Sequence, residues 1–349
     1  MDMATLFFLS SGLFLGWTLG ANNMSSVFGT AIGTKMVSFK KAAFIASVFV
    51  ILGAVISGQG VSETLEGLGK INTLPGAFMT ALAAALTMLL MTQARIPVSA
   101  TQAIVGSIVG WSIYSHTHVD LVIITEIVVS WFTSPLLAAL VAFLLMMGVK
   151  TYLKAKPIPL LYQDAYTRLG LILAGAFSAY SLGANNIANV MGPFMSVVPL
   201  KPLPIGHLFV FSSDQQLFLL GAIAIAVGIY TYSHDVIKTV GNNMLKMSPI
   251  EAWVVVMAHA LVLFLFSSTS LHLFLTRHGL PAVPLVPLSS AGAIIGGVVG
   301  VSLNKKGQGL KIYELFRVMR AWIWTPVLAA IICFFALFFM ENVFGQQVH

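Results

Sequence analysis

Apolar residues run in long stretches near 4–32, 42–60, 120–148, 169–195, 208–230 and 321–341, each long enough to cross a bilayer as a helix. Two stretches carry the same polar interruption. Leu19-Gly20-Ala21-Asn22-Asn23 returns letter for letter as Leu182-Gly183-Ala184-Asn185-Asn186. A Gly and two amides inside a span are costly unless they line a cavity, so both helices are expected to break there, at Gly20 and Gly183. Two further regions read differently. Residues 75–115 hold two short apolar stretches split by Gln93-Ala94-Arg95-Ile96-Pro97, and residues 249–303 hold two split by Arg277-His278-Gly279-Leu280-Pro281. A polar, Pro-marked tip between paired apolar arms predicts a re-entrant helical hairpin that enters and leaves by one side.

The pattern repeats along the chain. Residues 96–110 align without gaps on 286–300, with 7 of 15 identical. A weaker match sets Val61–Thr64 and Pro75 against Val236–Thr239 and Pro249. The expected organisation is a first repeat over 1–149, a cytoplasmic linker over 150–168, and a second repeat over 169–349. Hairpins fall at 75–115 and 249–303, and closing spans at 120–148 and 321–341. The fold class is an all-α polytopic membrane protein with an inverted-topology repeat, two broken helices and two re-entrant hairpins. Broken helices at matching places in two halves are the best sequence pointer to a transporter's binding site.

Charge tests this layout. With the N-terminus outside, 14 of the 18 Lys and Arg residues fall on inner loops, two (Lys70 and Lys201) outside, and Arg95 and Arg277 at the hairpin tips. That bias satisfies the positive-inside rule and places both termini outside. Only 8% of the 349 residues are charged and 58% are hydrophobic, which excludes a soluble domain. In a soluble protein the net charge of +7 would suggest nucleic acid. Here it is loop bias facing anionic lipid, and no nucleic-acid partner is expected. The single Cys333 excludes an internal disulfide and a thiolate metal cluster. The apolar stretch from Leu6 lacks a basic leader and a cleavage site, and reads as a retained span.

Three constellations carry chemistry. Asn22, Asn23 and Ser26 are expected to face Asn185, Asn186 and Asn189, amides that offer donors and acceptors to an ion. Pro97 and Pro287 suit the first turn of a helix, which places Ser99, Thr101 and Gln102, and opposite them Ser289 and Ser290, at helix N-termini suited to an anion. Arg95 and Arg277 could each clamp an anion or serve as a gate. Substrate contacts are therefore assigned to Asn22, Asn23, Asn185, Asn186, Ser99, Thr101, Gln102, Ser289 and Ser290. Ser26, Asn189 and Asp214 are the candidates for a coupling ion, Na⁺ or H⁺. Asp214 is placed about two turns into a span, Glu126 near the outer end of another, and His259 reads as a hydrogen-bonded core histidine. His116 and His118 sit in an outer loop. No resident metal or other cofactor is expected, and no grouping resembles a nucleophile with its base.

The chain resembles the inorganic phosphate transporter (PiT) family, whose signature G-A-N-D-x-A-N opens each half and whose hairpins carry P-[VI]-S-x-T-H-x-I-V-G. Gly20-Ala21-Asn22-Asn23, Gly183-Ala184-Asn185-Asn186-Ile187-Ala188-Asn189 and Pro97-Val98-Ser99-Ala100-Thr101-Gln102-Ala103-Ile104-Val105-Gly106 match these words. The resemblance implies an inverted-repeat, secondary-active permease for phosphate or a related oxyanion, coupled to Na⁺ or H⁺. The departures are specific. The family's Asp is Asn23 and Asn186, its second Asn in the first half is Ser26, its His is Gln102, and Ser290-Ala291-Gly292 replaces Thr and His in the second hairpin. Val50 and Val256 stand where members often carry Glu. Phosphate near neutral pH keeps a proton that a carboxylate can accept; sulfate has none, and an amide can donate to it. Sulfate is thus a rival substrate, and a passive anion channel is a second mechanism. Against roughly 100 mV, importing a dianion costs about 4.6 kcal/mol, so accumulation driven by the potential needs about three cations. A divalent-cation permease would want carboxylates or clustered His, and an enzyme is not expected. The bacterial inner membrane is the expected location, with a homodimer an allowed assembly.

Overall fold

The computed structural model describes residues 2–94, 98–156, 158–198, 200–205, 209–240, 247–305, 307 and 312–349. The first half contains α1 (Met3–Gly33), α2 (Phe39–Ser57), α3 (Gln59–Gly69), α4 (Leu74–Gln93), α5 (Ala100–Tyr114) and α6 (Leu121–Ala155). The second opens with α7 (Leu160–Met191), then a short antiparallel ribbon of β1 (Leu203–Ile205) and β2 (Phe209–Phe211), with Leu203 opposite Phe211. It continues with α8 (Ser213–Thr231), α9 (Ser233–Val240), α10 (Pro249–Ser267), α11 (Thr269–Arg277), α12 (Ser290–Leu303) and α13 (Ile312–Asn342). The order and lengths of α1–α6 return in α7, α8, α9, α10, α12 and α13, with the ribbon and α11 as additions. Among the described residues seven helices are long and apolar enough to cross a membrane. The chain is an integral, multi-pass, all-α membrane protein. Its exposed faces carry rows of large apolar residues, such as Phe132, Leu136, Leu140 and Leu144 on α6, suited to lipid.

Helix ends follow local chemistry. Thr73 caps α4 ahead of Pro75, and Asp120 caps α6 through the N–H groups of Val122 and Ile123. Ser212 with Gln215, and Ser248 with Glu251, form reciprocal capping boxes at α8 and α10.

Four expectations are corrected. Helices α1 and α7 run unbroken through Gly20 and Gly183. Those glycines are there for close packing: a Cβ on Gly20 would overlap the Ile225 carbonyl of α8, and one on Gly183 the Val50 carbonyl of α2. The polar linker expected over 150–168 is mostly helix, because α6 and α7 extend into it and leave only 156–159 between them. The stretch from 208 does not begin a span. Residues 209–211 pair in the ribbon, and α8 starts at Ser213. Finally, the hairpin arms are unequal. At 20 and 19 residues, α4 and α10 are of membrane-crossing length; α5 and α12, at 15 and 14, are not. The second connection runs through α11 and an extended return over 280–289.

Packing exchanges the two halves. Helix α1 lies on α8 and α7 on α2, while α5 lies on α13 and α12 on α6. Each crossing is a seam of backbone against glycine. Gly20 and Gly228 serve the first, Gly53 and Gly183 the second, Gly106 and Gly110 the third, Gly296 and Gly300 the fourth. The last two meet Pro326 and Pro135, which lie inside α13 and α6. Small residues that let backbones approach are the standard means of helix association where no water is expelled.

Candidate functional site

Unbroken helices leave side chains, not backbone, to supply polarity in the interior. On α7, Asn185 and Asn189 are four residues apart and share a face; with Asn186 all three are at most 1% exposed. On α1, Asn22, Asn23 and Ser26 are buried as well. The starts of α5 and α12 bring Ser99, Thr101, Gln102, Ser289 and Ser290 into the same interior, each at most 3% exposed. Ser99 and Ser289 cap their helices by accepting from Gln102 N–H (3.4 Å) and Gly292 N–H (3.1 Å). Other first-turn N–H groups have no acceptor within their own helix.

The two tips touch. Thr101 Oγ1 donates to the Leu288 carbonyl at 2.8 Å. Asn185 clasps the second tip from α7, its Oδ1 accepting from Leu288 N–H at 2.8 Å and its Nδ2 donating to the Val286 carbonyl at 3.2 Å. These contacts fix the polarity of the network. A carbonyl only accepts, so the Thr101 proton goes to Leu288. Thr101 Oγ1 must then accept from Asn189 Nδ2 (3.1 Å), whose other proton goes to Asn186 Oδ1 (3.0 Å). Asn186 Nδ2 is left as a buried donor with no partner among the described residues. Asn22 Nδ2, both polar atoms of Gln102 and Asn189 Oδ1 are also buried and unpartnered there. Each such atom costs about 1–3 kcal/mol while it stays unpaired, which makes these amides the candidate ligand contacts.

A second chain runs behind α12. Ser178 Oγ on α7 meets His259 Nδ1 at 2.8 Å, and His259 Nε2 on α10 meets Ser290 Oγ at 2.9 Å. Ser178 and His259 are fully buried. His259 is the hydrogen-bonded core histidine expected. Ser178 is a residue the sequence reading missed, though it lies 7 and 11 positions before Asn185 and Asn189, a helical spacing that places it on their face.

Other candidates lie elsewhere. Asp214 sits in the first turn of α8, not two turns into a span, because the ribbon takes up the preceding residues. It is close enough to Glu66 to act on its ionisation. Arg277 is exposed in the last turn of α11, outside the polar cluster. Arg95 lies outside the described residues, as does Pro97. Glu126, His116 and His118 are exposed, and Val50 and Val256 are buried apolar positions. Among the described residues the one buried carboxylate is Glu251, and Lys305 binds it at 2.6 Å. The cluster itself is built of neutral amides and hydroxyls.

Comparison with known proteins agrees with this architecture. The profile of the phosphate transporter family matches residues 19–281. A Methanocaldococcus jannaschii protein named "Putative phosphate permease" is 26% identical over 322 residues, covering 92% of this chain and 93% of the relative. One of the same name from Thermococcus kodakarensis is 23% identical, covering 96% and 97%. A solved structure described as the sodium-dependent phosphate transporter superposes with a TM-score of 0.76 at 21% identity, over 98% of this chain and all of the other, and so shares its fold. The chain belongs to the phosphate transporter family, a family of transporters and not of enzymes.

Proposed function

We propose that this member of the family carries a tetrahedral oxyanion without an acidic proton, sulfate being the type, between two meeting hairpin tips. The observation that carries this reading is the direction of the Asn186 amide. Its oxygen is already engaged by Asn189, so a donor stands where the family signature has a carboxylate. Asn22 Nδ2 and Gln102 Nε2 are further free donors, and the first turns of α5 and α12 add N–H groups and partial positive charge. Hydrogenphosphate would bring a proton to a site whose described walls hold no carboxylate to receive it. The names of the relatives make phosphate the comparison anion, and the description of the solved neighbour makes Na⁺ the first cation to test.

The matching element order, with the bias of basic residues toward one set of loops, supports two repeats of opposite orientation with both termini outside the inner membrane. Accumulation of a dianion against the membrane potential requires a cation gradient, and Asn189 Oδ1 and Gln102 Oε1 are unpartnered acceptors for Na⁺. The test is uptake of labelled sulfate and labelled phosphate into proteoliposomes, with and without Na⁺ and inward H⁺ gradients. Gradient-driven sulfate uptake that excess phosphate fails to reduce is the expected result. Phosphate uptake that sulfate fails to reduce would overturn the substrate assignment.

A further inference from the structure

We propose that His259 is a positioning residue whose tautomer, set by Ser178, commits the Ser290 proton to the bound oxyanion. The inference rests on the oxyanion reading above. A neutral imidazole has one N–H and one bare nitrogen, so the chain Ser178–His259–Ser290 has two directions. In the forward direction Ser178 donates to Nδ1 and Nε2–H donates to Ser290 Oγ. The Ser290 proton is then free to point into the site. In the reverse direction Ser290 donates to Nε2 and Nδ1–H donates to Ser178 Oγ. The Ser178 proton is then stranded at a position with 0% exposure and no other acceptor among the described residues. An unpaired buried donor is costly, and no ligand can reach Ser178 to relieve it. Ser290, in contrast, begins α12 beside Ser289 and two residues before Gly292, next to the Leu288 backbone that Thr101 and Asn185 grip. Its hydroxyl can find a partner in the ligand.

The forward direction is therefore the one that an anion accepting from Ser290 favours. The reverse direction would offer the anion only Ser290 lone pairs. This is the same logic that the Leu288 carbonyl imposes on Asn186 through Thr101 and Asn189. Two separate networks, one anchored on a carbonyl and one on a buried hydroxyl, each leave a buried donor for the ligand.

The test is a double-mutant cycle on Ser178→Ala and Ser290→Ala, read as the apparent KM for labelled sulfate in proteoliposomes, with labelled phosphate in parallel. Ser290→Ala is expected to raise KM about tenfold. Ser178→Ala, which touches no ligand, is expected to raise it several-fold at unchanged thermal stability, and to add nothing in the Ser290→Ala background. A silent Ser178→Ala, or effects that multiply independently, would overturn the proposal. A second measurement needs no variant transport at all. In ¹⁵N-histidine-labelled protein at saturating sulfate, the signals lost in His259→Gln should show the proton on Nε2; a proton on Nδ1 would overturn it. Asn186→Asp run alongside separates the failures. If that change abolishes sulfate uptake while the Ser178–Ser290 cycle is silent, only the positioning role falls. If it leaves uptake intact, the site itself is misplaced and the positioning role falls with it.

Discussion

The Oδ1 of Asn186 accepts from Asn189, so what this residue turns onward is an N–H. Replacing it by Asp keeps the bond to Asn189 with one oxygen and aims the other, charged, at the substrate. A charged hydrogen-bond partner is worth about 1.5–3 kcal/mol, so Asn186→Asp should lower kcat/KM for sulfate roughly 10- to 150-fold. Unchanged or faster sulfate uptake would refute the donor role. The amides were legible in the sequence because they occur twice at matching places. Their direction was not, since it depends on a backbone carbonyl at Leu288 and a hydroxyl at Thr101, both far away in the chain. Glu66 illustrates a different residue-scale effect. Burial first, then the nearby charges of Asp214 and Glu63, hold its carboxyl above the usual carboxylate range. The folded protein thus binds this proton more tightly than the unfolded chain, and the group costs stability once it ionises. The cost is absent below the ordinary carboxylate pKa and complete above the raised one. Glu66→Gln should therefore raise the melting temperature near pH 7, with the gain fading as pH falls toward 4; an equal gain at both pH values would exclude proton linkage.

Hydropathy found the helices because lipid demands long apolar runs, and it placed most ends within a few residues. It misread the glycines inside them. A Gly beside two amides in a span reads as a break, yet the same residue also lets a second backbone come close, and composition cannot separate the two. The better signal was present in other words. Gly106-x-x-x-Gly110 and Gly296-x-x-x-Gly300 have the small-residue spacing of a packing seam, and Pro135 and Pro326 sit in the long helices that receive them. The seams give a sharp comparison. Gly20→Ala puts a methyl group into the Ile225 carbonyl, and overpacking of this kind costs about 1–3 kcal/mol. Gly148→Ala, within α6, meets nothing within 4 Å and gains up to about 1 kcal/mol of helix propensity. In detergent the first should lower the melting temperature and the second leave it level or raise it. Equal behaviour of the two variants would mean that the α1–α8 approach is not tight.

At the scale of the molecule, the repeat was visible in the sequence, but the exchange between its halves was not. Nothing in a one-dimensional pattern says whether α1 packs on the α2 that follows it or on the α8 of the other half, since both are apolar and both carry glycine. The structure chooses α8, and by the matching choice sets α7 on α2, α5 on α13 and α12 on α6. Each half therefore buries its glycine faces against the other, and Asn185, from one half's helix, grips the tip of its own hairpin while Asn189 reaches Thr101 of the other. Neither half holds the whole polar network, and neither has a covered seam alone. The covalent link between them is slight, since α6 ends at Ala155 and α7 begins at Leu160. Helices inserted separately in a membrane associate afterwards through such packing. Fragments 1–156 and 157–349, expressed together, should co-purify through a tag on either one and restore sulfate uptake in proteoliposomes. Each expressed alone should be unstable in detergent, because its four glycine-lined or carbonyl-lined faces lack partners. A single fragment that purifies as a homogeneous species with the melting temperature of the whole chain would show that the halves close on themselves, and the exchanged packing would then be wrong.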